Sequence, residues 1–424
     1  MPQINKLPKD WKLVKLGEIC DKMSNGANAK QFEDQIGLPI SRIETIWNET
    51  IDLKRVKYIY ENDEDFIEKY ALKKNDILFS HINSDIHLGK TALFKNQTKT
   101  LIHGINLLLI RLCKEAQPDF FNYQFNYKRR KGEFITIASK SVNQSSINQP
   151  KLKNIDFVLP PLETQLAIVS KIEELFSELD KGIEDLKTAQ QQLRTYRQSV
   201  LKYAFEGKLT NKKVKDGELP KGWELKKFGE LFSESPQNGL YKSSTEYGEG
   251  TPIIRIDGFY DGVILDDYKI KRVKLAEEEI KRYLISVGDI LVNRVNSMPY
   301  LGKCGLVKHL NERTVFESNI MKIRVSNEFA IPEFISKYLT SKKGLSELRK
   351  NAKQAVNQAS INQTDVSNVL IPVPTIAEQN TIVQEIESRL SVADKMEESI
   401  TQSLLQAEAL RQSILKKAFS GELV

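Results

Sequence analysis

The chain has 424 residues, with 63 Lys and Arg against 56 Asp and Glu, a net charge of +7 and a pI near 8.9. That length exceeds what one hydrophobic core sustains and predicts two or three domains. With 40% hydrophobic and 28% charged residues it sits near globular averages, which excludes disordered and fibrous classes, and its basic bias suits a polyanionic partner without requiring one.

The first residues, MPQINKLPKDWKL, lack the apolar core of a signal peptide, and no stretch approaches the roughly 18 apolar residues of a membrane span. A cytoplasmic protein with no membrane partner is therefore expected. Cys20, Cys113 and Cys304 are odd in number and far apart, which leaves no disulfide framework and no CxxC metal signature. Further along, GLPISRI, NDILFS and INLLLIRL read as short strands between turns, and a helix is predicted after Pro118. From about 162 to 206 there is no proline and little glycine, and apolar residues step by three and four through Val169, Ile172, Phe176, Leu179, Ile183 and Leu186, then Leu193, Val200 and Ala204. That spacing is a coiled-coil seam. PLETQ supplies an acidic helix start and Gly207 a stop.

At residue 219 the sequence begins again. LPKDWKLVKLGEI at 7–19 returns as LPKGWELKKFGEL at 219–231, so Trp11 and Trp223 are 223 − 11 = 212 residues apart. GLPISRI returns as GTPIIRI, NDILFS as GDILVN, LGKTALF as LGKCGLV, SVNQSSINQ as AVNQASINQ, and RQSVLKYAFEGKL as RQSILKKAFSGEL. A second helix is predicted after Pro332 and a second long one over about 376–420, with a seam through Val383, Ile386, Leu390, Ala393, Ile400, Leu404, Ala407, Ile414 and Ala418 and a stop at Gly421. A period above 200 residues is too long for a solenoid, so each copy is a whole module. At 1.5 Å per residue each long helix would span roughly 65 Å, more than its own domain can cover. The other copy's helix is the natural partner, with a domain-swapped dimer as the rival. The expected fold is α/β (α+β): two similar globular domains joined by two long antiparallel coiled-coil helices, related by an internal pseudo-twofold. The expected boundaries are 1–155 and 211–370 for the globular domains, and 156–210 and 371–424 for the helices.

The LPKxWxxxKxGEI/L starts, the SINQ segments followed by VLPPLETQ and VPTIAEQ, and the RQSxLKxAFxGxL helix ends give the chain its family likeness. Over essentially its whole length it resembles the specificity subunits of type I restriction-modification enzymes. That resemblance implies two target recognition domains, each reading one half of a split double-stranded DNA target, and helices that act as spacer and as docking surface for two methyltransferase subunits. Restriction subunits would join these in a prokaryotic cytoplasm. It also implies no active site here, with S-adenosylmethionine, ATP and Mg bound by partners and no cofactor by this chain. Two alternatives stay open: a stand-alone DNA-binding regulator or inhibitor, and a specificity subunit of another restriction-modification type.

Residues for chemistry are missing in the sequence. LGKT at 88–91 fails the phosphate-loop pattern because Ser84 stands where glycine is needed, and LGKC follows Ser297, so both read as strand ends. His81, His87, His103 and His309 form no metal-ligand spacing, and no HExxH, adenine-methylation or glycine-rich nucleotide motif occurs. Where the copies match they are scaffold, and where they differ inside matching frames they are candidates for reading different bases. The differing regions are CDKMSNGANAKQF against SESPQNGLYKSSTEY, and SHINSDIHLGK against NRVNSMPYLGK, all rich in side chains that pair with base edges and phosphates. From these come the DNA-contact candidates His81, Asn83, Ser84, Tyr241, Lys242, Arg294 and Asn296, while Lys90 and Lys303, unchanged between copies, are candidates for phosphate contacts. Asn143, Gln144, Ser146 and Asn148, with Asn357, Gln358, Ser360 and Asn362, either bind the DNA backbone or cap the loop before the last strand.

Overall fold

The computed structural model of the chain describes residues 7–95, 100–142, 144–211, 213–215, 217–264 and 270–424. They fall into two compact units, one running to Leu186 and completed by Gln402–Val424, the other comprising Lys187–Thr401.

The first unit is built on a four-stranded antiparallel sheet in the order Cys20–Asn25, Leu107–Leu112, Ile77–Ser80, Thr91–Leu93. Its inner strands are apolar on both faces, and period-two alternation sorts their side chains into two cores. Ile77, Phe79, Leu108 and Ile110 face a cluster containing Phe120, Phe121 and Phe125 of the helix Pro118–Arg130. Leu78, Leu107 and Leu109 face the opposite way, toward Ile46 and Leu72. A two-stranded sheet pairs Lys12–Lys15 with Asp156–Leu159 and so ties the module's first strand to the strand before its long helix.

The second unit repeats this plan. Gln237–Asn238, Ile320–Ile323, Ile290–Asn293 and Cys304–Leu306 take the same order, and Glu224–Lys227 pairs with Leu370–Val373 as the closing sheet. Its main sheet then extends to six strands, because Gly262–Ile264 adds in parallel beside Cys304–Leu306 and carries Phe259–Tyr260 with it. In the first unit the chain instead folds a separate hairpin, Ile46–Trp47 with Thr50–Ile51.

A charge pair with a buried carboxylate recurs at one end of the two inner strands of both sheets. Asp76 and Asp289 are 0% exposed; Arg111 donates to both carboxylate oxygens of Asp76 at 2.7 Å, and Arg324 to those of Asp289 at 2.7 and 2.9 Å. Each carboxylate also accepts a backbone N–H at 2.7 Å, from Lys73 or Ser286. The preceding residue adopts a positive φ, 71° at Asn75 and 93° at Gly288, which is why the strand motif reads ND in one copy and GD in the other.

The long helices occupy Leu162–Phe205 and Ile376–Ser420, within a residue of the expected ranges. Each start is fixed by a buried glutamine in PLETQ or TIAEQ. Gln165 donates to the carbonyls of Glu115 and Pro160 and accepts from Gln117 N–H; Gln379 does the same with Phe329, Pro374 and Ile331. Each ends at a left-handed glycine, Gly207 (φ 73°) or Gly421 (φ 79°), where a Cβ would strike Pro220 or Pro8 of a LPKxW segment. In the first unit Phe419 meets the rings of Phe120 and Tyr127, each at 5.4 Å, and Arg411 pairs with Asp180. In the second, Phe205 meets Phe334 and Tyr338, and Arg197 pairs with Asp394 at 2.6 Å and Glu397 at 2.8 Å. Thr210 donates to Glu378 further along, so the helix segments within that unit run antiparallel. The seam is buried at Val169, Ile172, Phe176, Val200, Ala204, Val383 and Ile386 and only half-buried from Leu179 to Leu193.

Candidate nucleic-acid interface

The segments that the sequence comparison flagged become neighbours in each unit. In the first, Ile82–Asn83 pairs with Ser145–Ser146, which pairs with Ser139–Lys140; in the second, Val295–Asn296, Ala359–Ser360 and Lys353–Gln354 form the same three-stranded sheet. The loop that differs between copies thus leaves a strand held against the segment that does not.

Asn83 and Asn296 have a shared local task. The Asn83 side-chain oxygen accepts from Ser84 N–H at 2.8 Å and that of Asn296 from Ser297 N–H at 2.7 Å, a bond to the next residue that fixes the start of each loop. Ser84 is exposed, and its carbonyl receives the N–H groups of His87 and Leu88, closing a turn that the Ser297 carbonyl repeats with Tyr300 and Leu301. Gly89 then turns the chain (φ 75°) into the strand Thr91–Leu93, with no helix after it, so LGKT is a strand start and not a phosphate loop. The residues at each tip are Asp85, Ile86 and His87 against Met298, Pro299 and Tyr300, all exposed and all different. None of these six was among the DNA-contact candidates read from the sequence, although they lie inside the flagged frames. Exposure is the signal that separates them from Asn83 and Asn296.

His81 and Arg294 occupy equivalent places behind these loops. His81 is 7% exposed, and burial pushes its imidazole down to about 4. Its Nδ1 has no protein partner among the described residues. Arg294 donates to the Ser318 carbonyl at 3.0 Å while its Nε is likewise unpartnered, and burial lowers its pKa. Buried polar atoms without a partner are scarce in proteins, and here they recur at matching positions on the same side of both units.

Tyr241 is 80% exposed on the rim of a concavity of about 360 Å³ also lined by Arg255, Lys271, Ser318 and Asn319. Ser318 and Asn319 connect this rim to Arg294, whose N–H donates to Asn319. Lys242 is held by Glu279 at 3.0 Å and Glu246 at 3.2 Å, and these partners raise its pKa. Lys90 is part-buried, its pKa lowered by burial and by Arg129. Lys303 lies over the rings of Tyr260 and Tyr300, each at 4.6 Å.

The SINQ segments divide between two roles. Asn148 accepts from Lys151 N–H at 3.0 Å and Asn362 from Asp365 N–H at 2.9 Å, so both cap short helices. Ser146 and Ser360 lie on the small sheets, while Gln144, Asn357 and Gln358 are exposed at the hairpin turns. Asn143 lies outside the described residues. The flagged stretch 20–32 begins as a sheet strand, Cys20–Asn25, rather than a loop.

The duplicated plan matches known proteins. A family model described as the type I restriction modification DNA specificity domain matches residues 8–188 and again 220–406. The chain belongs to the type I restriction-modification DNA specificity family. A putative type I restriction enzyme MjaX specificity subunit from Methanocaldococcus jannaschii is 32% identical over 99% of this chain and 95% of that protein. The EcoKI specificity subunit of Escherichia coli K12 is 30% identical over 68% of this chain and 62% of that protein. A chain from a structural study of type I R-M complex assembly superposes with a TM-score of 0.75 at 20% identity, covering 98% of this chain and 99% of that one. The HsdS subunit of Thermoanaerobacter tengcongensis gives 0.54 at 19%, covering 99% of each, and both likenesses concern the fold. Among the described residues of this family member, no group of three His, Cys, Asp or Glu is placed to hold a metal ion, and no helix is long and apolar enough to cross a membrane.

Proposed function

We propose that this specificity-family chain is a DNA-reading subunit without its own catalytic centre, each unit reading one half of a bipartite double-stranded target. Methyltransferase subunits would dock on it and modify adenine with S-adenosylmethionine, and restriction subunits would add ATP- and Mg-dependent cleavage. One observation carries the reading: two units share a four-strand order, an Asp–Arg pair and helix caps at matching positions, yet differ at the exposed loop tips 85–87 and 298–300. Two equal scaffolds with unequal tips suit two unequal half-sites. The test is methylation-sensitive long-read sequencing of DNA from cells expressing this chain with its methyltransferase subunits. The expected result is one split methylated motif, absent when the chain is omitted. Methylation without a split motif, or independent of the chain, would overturn the proposal.

A further inference from the structure

We infer that each unit carries a second, sequence-blind DNA contact: the hairpin tips bearing Val142 and Val356 press an apolar side chain into the duplex groove beside the reading loop. This rests on the DNA-reading function proposed above.

Val142 is 98% exposed and Val356 99%, the most exposed large apolar residues among those described. The turns presenting them are tight, with Ser141 N–H donating to the Gln144 carbonyl at 2.8 Å and Ala355 N–H to that of Gln358 at 2.7 Å. A tight turn favours Gly, Asn, Asp or Ser, and a β-branched side chain suits a strand instead. Nothing in the fold is gained by a valine held wholly in water. A lone surface valine needs no explanation. The same valine at the same turn in both copies does, because the residues bounding the shared Val-Asn-Gln, Ser141 and Ser145, have become Ala355 and Ala359.

The setting points to DNA. Each hairpin shares a sheet with the strand that launches the differing loop, Asn83 lying opposite Ser145 and Asn296 opposite Ala359. Beside the tips in sequence stand exposed cations, Lys140 in the first unit, which lies 3.8 Å from the Asp85 carboxylate of the reading loop, and Lys350 and Lys353 in the second, with the amides of Gln144 and Gln358. Arg349 braces the second loop by donating to the carbonyls of Pro299 and Leu301. A protein-docking face would present a contiguous apolar patch, whereas a single valine flanked in sequence by lysine and amide suits a groove walled by phosphates. Apolar side chains at such places pack on sugars or wedge between base steps. An identical tip fits a contact that ignores base identity; the loops beside it, which differ, carry the reading.

The experiment uses the chain purified with its methyltransferase subunits. Val142→Ala, Val356→Ala and the double variant are compared with the parent for affinity to target and unrelated duplexes at one salt concentration, for methylated motif, and for mass of the complex. Each single variant is expected to weaken both duplexes by about fivefold, from the apolar contact removed, and the double by roughly the product. Motif and complex mass stay unchanged. Full exposure of both side chains removes misfolding as an explanation. Unchanged affinity in the double variant overturns the inference, as does an altered motif, which would make the tip a base reader. Loss of methyltransferase from the complex would make it a protein contact and overturn it too. A parent complex that binds no duplex selectively sinks the underlying DNA-reading proposal instead.

Discussion

His81 shows how far one residue's environment can separate it from its sequence. As a polar residue in a differing segment it was a candidate for base contact. Its ring is buried, the Asn106 carbonyl beside it only partly offsets the cost of charging it, and its pKa falls to about 4 from an ordinary 6.5. His103, fully buried with Nδ1 donating to the Tyr70 carbonyl at 2.9 Å, is shifted down for the same reason. A histidine with a lowered folded pKa is neutral in the native state while the unfolded chain takes up a proton, so stability is intact above about 6.5 and is lost as pH falls toward 4. Urea unfolding at pH 7.5 and 5.0, followed by Trp11 and Trp47 fluorescence, should show roughly 1–2 kcal/mol of this loss assignable to His81. His81→Gln is expected to remove that share and leave the His103 share. An identical pH dependence in parent and variant would show that His81 is charged in the folded protein.

The element scale is where sequence and structure agree best, and where their disagreement has a physical cause. Asp289 and Arg324 join two neighbouring strands at their ends, and an Asp289→Asn change leaves the half-buried Arg324 with only Glu234, at 3.3 Å, as counter-charge. A loss of about 2–4 kcal/mol is expected, discounted for the partial exposure of the arginine, and read as an earlier midpoint in chemical denaturation. Replacing both partners by apolar residues should recover much of it, and no recovery would mean the pair also specifies the strand register. Strands such as Ile77–Ser80 and the long helices were legible because their signal is local: apolar runs, 3–4 spacing, and an absence of proline. The Asp–Arg ties and the pairing of Lys12–Lys15 with Asp156–Leu159 were not, since their partners lie 35 and about 144 residues apart and nothing local records them. The same limit explains the candidate site. Composition located both loops, but it could not separate Asn83, whose side-chain oxygen holds the next backbone N–H, or Lys242, held by two glutamates, from the exposed tips.

At the scale of the whole molecule, each hydrophobic cluster of the described residues lies within one unit. The second unit's main cluster joins its sheet and helix Pro332–Thr340 to Val200, Leu201, Ala204 and Phe205 on one long helix and to Ile382, Val383 and Ile386 on the other. Its smaller clusters, around Phe316 and around Val273, involve no residue of either long helix. A reader built this way can be exchanged if its helix-facing side chains are kept. We therefore expect that replacing 219–365 with the corresponding segment of another family member, while retaining Phe334 and Tyr338 against Phe205, alters one half of the methylated motif and leaves the other half as in the parent. The first unit keeps its own core of Ile77, Phe79, Phe120 and Phe125, so its loop at 85–87 is presented as before. Sequencing the methylated motif of the chimera beside the parent decides the matter. Change in both halves would mean that the readers are not independent, and change in neither would place base reading outside 219–365.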